Sequence, residues 1–113
     1  MTVFDRAEAL ERCRGKEGLL AKLIRIYLED AAQQGAVLDA ACAAGDVTAL
    51  ERAAHRLKGS ALNLSLKRVA EAAARLEDEA RTERTAEAAA LWPALRAALE
   101  EAAAALRPFL SQP

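Results

Sequence analysis

Apolar residues recur every three or four positions along most of this chain, the spacing that gathers them onto one stripe of an α-helix. Leu20, Ile24, Tyr27, Ala31, Leu38 and Ala41 form one such stripe, and Val47, Leu50, Ala54, Leu57, Ala61 and Leu64 form a second. Leu66, Val69, Ala73, Leu76 and Ala80 make a third, and Ala88, Trp92, Leu95, Leu99, Ala102, Leu106 and Phe109 a fourth. The residue types agree with the period, since 30 Ala and 17 Leu stand against 4 Val and 2 Ile. Ala and Leu favour helices, whereas pleated surfaces want branched and aromatic side chains. An all-β or α/β domain is excluded, and the predicted fold is all-α.

Punctuation divides the stripes. Asp5 can cap a short first helix through about Cys13, ended by Arg14-Gly15. A long second helix runs over roughly 17–44, where Gly45 stops it and Asp46 offers the next N-cap. The third spans about 47–64, and Ser65 can cap the fourth. The last follows Thr82 to Thr85 and contains Pro93, which predicts a kink or a late start. Four long amphipathic helices joined by short turns hide their stripes most simply in an antiparallel up-down four-helix bundle. The short N-terminal helix then covers one end or edge. The 113 residues read as one domain, 1–113, with no internal repeat or linker.

Several functions fall away on charge and composition. The net charge of −1 gives no global basic field for nucleic acid or an anionic membrane. No apolar stretch approaches the ~20 residues that cross a bilayer, and Met1 to Arg6 does not open like a signal peptide. A cytoplasmic protein is expected, with Cys13 and Cys42 as reduced thiols. Met1 and a frayed end at Ser111-Gln112-Pro113 point to a free-standing chain. His55 is the only histidine, with no ligand cluster around it, so no metal site is expected. Neither glycine-rich phosphate-loop pattern occurs, so the chain has no nucleotide site of its own.

Attention falls on Ala54-His55-Arg56-Leu57-Lys58-Gly59-Ser60-Ala61. At ~100° per residue His55 lies about 130° from the centre of its helix's apolar stripe, so it faces outward. An ordinary surface histidine is the plain alternative. Gly59, one turn on, costs ~1 kcal/mol relative to Ala inside a helix. Either a close helix crossing needs it, or it leaves room for a group and a partner beside the imidazole. Lys58 is either a solvated lysine or an ammonium near the ring nitrogen, where it would balance phosphoryl charge. Leu62 continues the exposed face as an apolar contact. Glu51, Arg52 and Leu62 are candidates for partner docking.

The run His55-Arg56-Leu57-Lys58-Gly59-Ser60-Ala61, with Asn63-Leu64, Val69 and Leu76-Glu77 after it, resembles the signature of the histidine-containing phosphotransfer (HPt) domain family. Val3-Phe4-Asp5, Tyr27-Leu28-Glu29-Asp30, Ala44-Gly45-Asp46 and Leu50 with Ala54 fit the same pattern. One departure is Ser65-Leu66, where the family usually carries a Gly-Ala pair.

The resemblance implies a four-helix bundle with the phosphorylatable histidine exposed midway along one helix. It implies that His55 accepts a phosphoryl group from a phospho-aspartyl receiver domain and passes it to another. Lys58 would help hold that group, Gly59 would keep the approach clear, and Glu77 would orient the imidazole. The partners would be receiver domains, including those of hybrid histidine kinases, met by a monomer. No cofactor is expected on this chain, with Mg²⁺ belonging to the receiver. Neutral imidazole suits the task, being nucleophilic near neutral pH and readily relieved of its phosphoryl group. Two rivals remain. The acceptor segment of a sensor kinase has an acid after its histidine and a proline five residues on, where this chain has Arg56 and Ser60. An inactive adaptor bundle would have no need of both His55 and Lys58.

Overall fold

The computed structural model describes residues 3–110, so the expected fraying at Ser111-Gln112-Pro113 lies outside the described residues. The helices are α1 (Arg6–Arg12), α2 (Glu17–Ala44), α3 (Val47–Asn63), α4 (Lys67–Arg81), α5 (Thr85–Ala90) and α6 (Trp92–Leu106), followed by a 3₁₀ turn at Arg107–Leu110. No strand occurs among the described residues. At 1.5 Å rise per residue, the 28 residues of α2 account for the long dimension of a body 43 × 20 × 20 Å across. The packing runs round a ring: α3 lies against α2 and α4, α4 against α6, and α6 against α2.

The predicted stripes are the core. Ile24, Leu38, Leu50, Leu57, Leu76, Leu95 and Leu106 are fully shielded from solvent. Ala54, Ala61, Ala73 and Ala88 fill the narrow spaces between them, as small side chains must where helix axes approach closely. Ala31, Val47, Leu99 and Phe109 are only partly covered and pack on the periphery. Trp92 ties α6 to α2 by donating its indole N–H to Asp39 at 2.6 Å, with the Arg96 guanidinium 5.2 Å from its ring. The fourth stripe is not one rod. Its helix breaks at Leu91, between α5 and α6, and Pro93 sits in the first turn of α6, where its missing N–H deprives no helical bond.

The ends of the helices explain one correction. Asp5 and Asp46 cap α1 and α3 as expected, accepting from Glu8 N at 3.0 Å and Ala49 N at 3.1 Å. Ser65 does not cap α4, whose N-cap is Leu66 with no side-chain bond. Instead Ser65 takes φ 57° just past the end of α3, where the N–H groups of Ser65 and Leu66 bond back to Leu62 and Ala61. That is the left-handed position glycine usually fills, and here Ser65 occupies it. Its hydroxyl, turned away from the α4 N-terminus, donates to Glu8 at 3.1 Å and pins α1 to the α3–α4 turn.

Candidate functional site

His55 lies midway along α3, and its side chain is 68% exposed. The residues flanking it in sequence, Ala53, Ala54 and Leu57, are buried, so their burial fixes the rotation of α3 and turns the imidazole outward. α4 approaches on one side and brings Glu77 to the ring. Glu77 occupies a position on its helix that is 1% exposed, continuous with the core stripe. Its carboxylate is nevertheless fully used. One oxygen, Oε2, lies 2.7 Å from His55 Nδ1 and accepts from Arg81 at 2.9 Å, while Oε1 accepts from Lys58 Nζ at 2.7 Å.

Burial by itself pushes the Glu77 carboxyl up. Hydrogen bonds from Lys58 and His55, and the attraction of their charges, outweigh it, so the carboxyl ends below its ordinary value. Glu77 is therefore ionised at neutral pH and can only accept. In the neutral imidazole the proton facing such an acceptor sits on Nδ1, and Nε2 is then the ring nitrogen that carries the lone pair.

The other residues singled out from the sequence are placed as follows. Lys58 is on the same flank of α3 as His55, but its ammonium is engaged by Glu77 rather than free. Gly59 is exposed, and a Cβ built there meets nothing within 4 Å, so no helix crossing requires it. Glu51 is half-exposed and 3.8 Å from Arg81. Arg52 is exposed beside His55 along a groove between α2 and α3. Leu62, 47% exposed, lies two turns beyond His55. Cys13 and Cys42 are free thiols. Among the described residues no cluster of potential metal ligands occurs, and no helix is long and apolar enough to cross a membrane.

Two participants escape a reading of the sequence. Arg81 stands four residues after Glu77, a spacing that pairs opposite charges on a helix and could have identified it. Asp30 of α2 accepts from Arg56 at 2.7 Å and from Ser60 at 2.9 Å on the other flank of α3. α3 is thus gripped by two carboxylates, one from each neighbouring helix, with the histidine between them facing solvent.

A helical bundle presenting one imidazole, backed by a carboxylate and flanked by basic groups, defines a class of phosphoryl carriers. Residues 22–107 match the family model of the Hpt domain, and the chain belongs to that family. Its function is histidine phosphotransfer in a phosphorelay, in which Hpt domains work with receiver domains. Among solved structures the fold is similar to the crystal structure of histidine-containing phosphotransfer protein B (HptB) from Pseudomonas aeruginosa, with a TM-score of 0.85. The two share 24% identity over 94% of this chain and 92% of that one, a likeness that carries the fold. No curated protein sequence matches the chain at a significant level.

Proposed function

We propose that His55 is the phosphoryl-accepting residue and that Nε2 is the atom that carries the group. The observation behind this reading is the pairing of an exposed ring with an ionised carboxylate at Nδ1. In the transfer step the Nε2 lone pair forms a bond to phosphorus as the bond from phosphorus to the receiver's aspartyl oxygen breaks. The electron pair of the broken bond leaves on the aspartate. No proton has to move, because Nδ1 keeps its own, and Glu77 balances the positive charge that grows on the ring. The reverse sequence returns the group to a second receiver.

Phosphoryl transfer depends chiefly on in-line positioning and neutralised charge. This chain would supply His55, with Lys58 as a countercharge near the phosphoryl oxygens. The receiver would bring the aspartate and Mg²⁺. Gly59 leaves the approach open, and Glu51, Arg52 and Leu62 form part of the face on which receivers dock. The chain acts as a monomeric cytoplasmic carrier with no kinase activity and no nucleotide site of its own. Incubation with a phosphorylated receiver domain tests the reading. Wild type should acquire an acid-labile, base-stable label, and a folded His55→Gln variant should acquire none; equal labelling of both would overturn it.

A further inference from the structure

A phosphoryl group on His55 brings roughly 1.5 to 2 negative charges to one exposed ring. The basic side chains around that ring differ in what it takes to recruit them. Lys58 is bound to Glu77, a carboxylate whose side chain is only 2% exposed, and leaving it would strip a buried charge of one partner. Arg81 is bound to the same carboxylate and also faces Glu51. Arg56 lines the same α2-side groove as His55, but it is committed to Asp30, 11% exposed, on α2. Arg52 differs from all three. It precedes His55 by one turn of α3, is exposed, and has no ion pair among the described residues. It lines the same groove between α2 and α3 as His55, together with Gln34 and Thr48. Residues three apart on a helix lie on neighbouring positions of its surface, within reach of a long side chain.

Glu77 holds Nδ1 from the α4 side, so Nε2 is directed away from that carboxylate, and His55 also lines the groove on the α2 side. We infer that Arg52 is a catalytic residue whose guanidinium contacts the phosphoryl oxygens on Nε2 of His55. This rests on the reading of His55 as acceptor and gives Arg52 a task beyond docking. The guanidinium's planar fork matches two phosphoryl oxygens at once, and recruiting it breaks no existing pair. Lys58 can then act as a nearby countercharge without leaving Glu77, and the direct contact to the phosphoryl oxygens falls to Arg52. The bond changes are those of the transfer step, with Arg52 spreading the charge of the moving group and exchanging no proton.

Two phosphoryl donors separate this role from docking. A phosphorylated receiver domain needs a docking face, whereas phosphoramidate, a small-molecule donor, does not. Arg52→Gln should keep the helical circular dichroism of wild type. Its labelling by phosphoramidate should slow by about tenfold, the scale of one charge-assisted hydrogen bond. Arg52→Lys should recover part of the loss. If Arg52→Gln matches wild type with phosphoramidate and is slow only with the receiver, Arg52 merely docks and the inference is overturned. Wild-type rates with both donors overturn it equally. If instead His55→Gln is labelled as well as wild type by either donor, the acceptor reading itself has failed, and Arg52 falls with it.

Discussion

His55 Nδ1 and Glu77 Oε2 stand 2.7 Å apart across the seam between α3 and α4, joining positions 22 residues apart in sequence. The carboxylate can only accept, so this one contact decides which nitrogen of the neutral ring carries the proton, and on the proposed reading the other is the nucleophile. Glu77→Ala should release the tautomer and remove the anion behind the ring. Transfer from a phosphorylated receiver should drop by about 10- to 100-fold, the scale of a hydrogen bond to a charged group. Glu77→Gln keeps an oxygen for Nδ1–H while losing the charge, so its loss should be smaller. Rapid-quench transfer rates on both variants check the order; equal losses would mean that orientation of the ring by an acceptor contributes nothing.

Glu77 also predicts how stability follows pH. Its carboxyl lies below the ordinary 4.5 in the folded protein, so the unfolded chain takes up a proton first as the solution is acidified. The contribution is therefore fully present above pH 4.5 and is lost as pH falls from there through the lower folded value. Denaturant midpoints measured down this range should fall more steeply for wild type than for Glu77→Gln. Parallel profiles would show that the carboxylate is not held as an ion.

Gly59 separates stability from access. Nothing lies within 4 Å of a Cβ placed there. Gly59→Ala should therefore stabilise the bundle by about 1 kcal/mol, the helix propensity difference, and leave phosphotransfer nearly unchanged. Gly59→Trp should fold as well and yet transfer poorly with a receiver, because the ring projects into the approach to His55. Thermal melts and transfer assays on the pair read both effects, and a stable, fully active Gly59→Trp would remove the steric role from Gly59.

Tyr27 gives a second, alkaline limit. It is the chain's one tyrosine; burial, and secondarily the charge of Asp30, raises its phenol well above the ordinary 10.0. Above pH 10 the unfolded chain ionises while the folded one resists, so stability is lost as pH rises beyond that point. Tyrosinate absorbance should appear together with loss of helical signal. Ionisation in a still-folded protein would contradict the burial of Tyr27.

Much of this fold is legible in the sequence because helical stripes are local. Leu50, Ala54, Leu57 and Ala61 announce both the buried face of α3 and the outward pointing of His55 from spacing alone. Helix ends are legible only where the residue type is unambiguous. Asp46 can do little but cap, whereas Ser65 suits an N-cap and also, at a conformational cost of about 1 kcal/mol or more, a left-handed turn. The choice was made by the tight closure of α3 through Leu66 N–H to Ala61 O at 2.9 Å. The partners within the site were the least legible. That Glu77 engages Lys58, or that Asp30 takes Arg56 and Ser60, depends on which faces of three helices meet, and the stripes fix those faces only approximately.

The most direct test concerns the atom that carries the phosphoryl group. Phosphorus–nitrogen coupling measured by NMR on isotope-labelled, phosphorylated protein locates it on the ring of His55. The geometry predicts coupling to Nε2, with Nδ1 still protonated against Glu77. Phosphorus on Nδ1, or on any residue other than His55, would contradict the account.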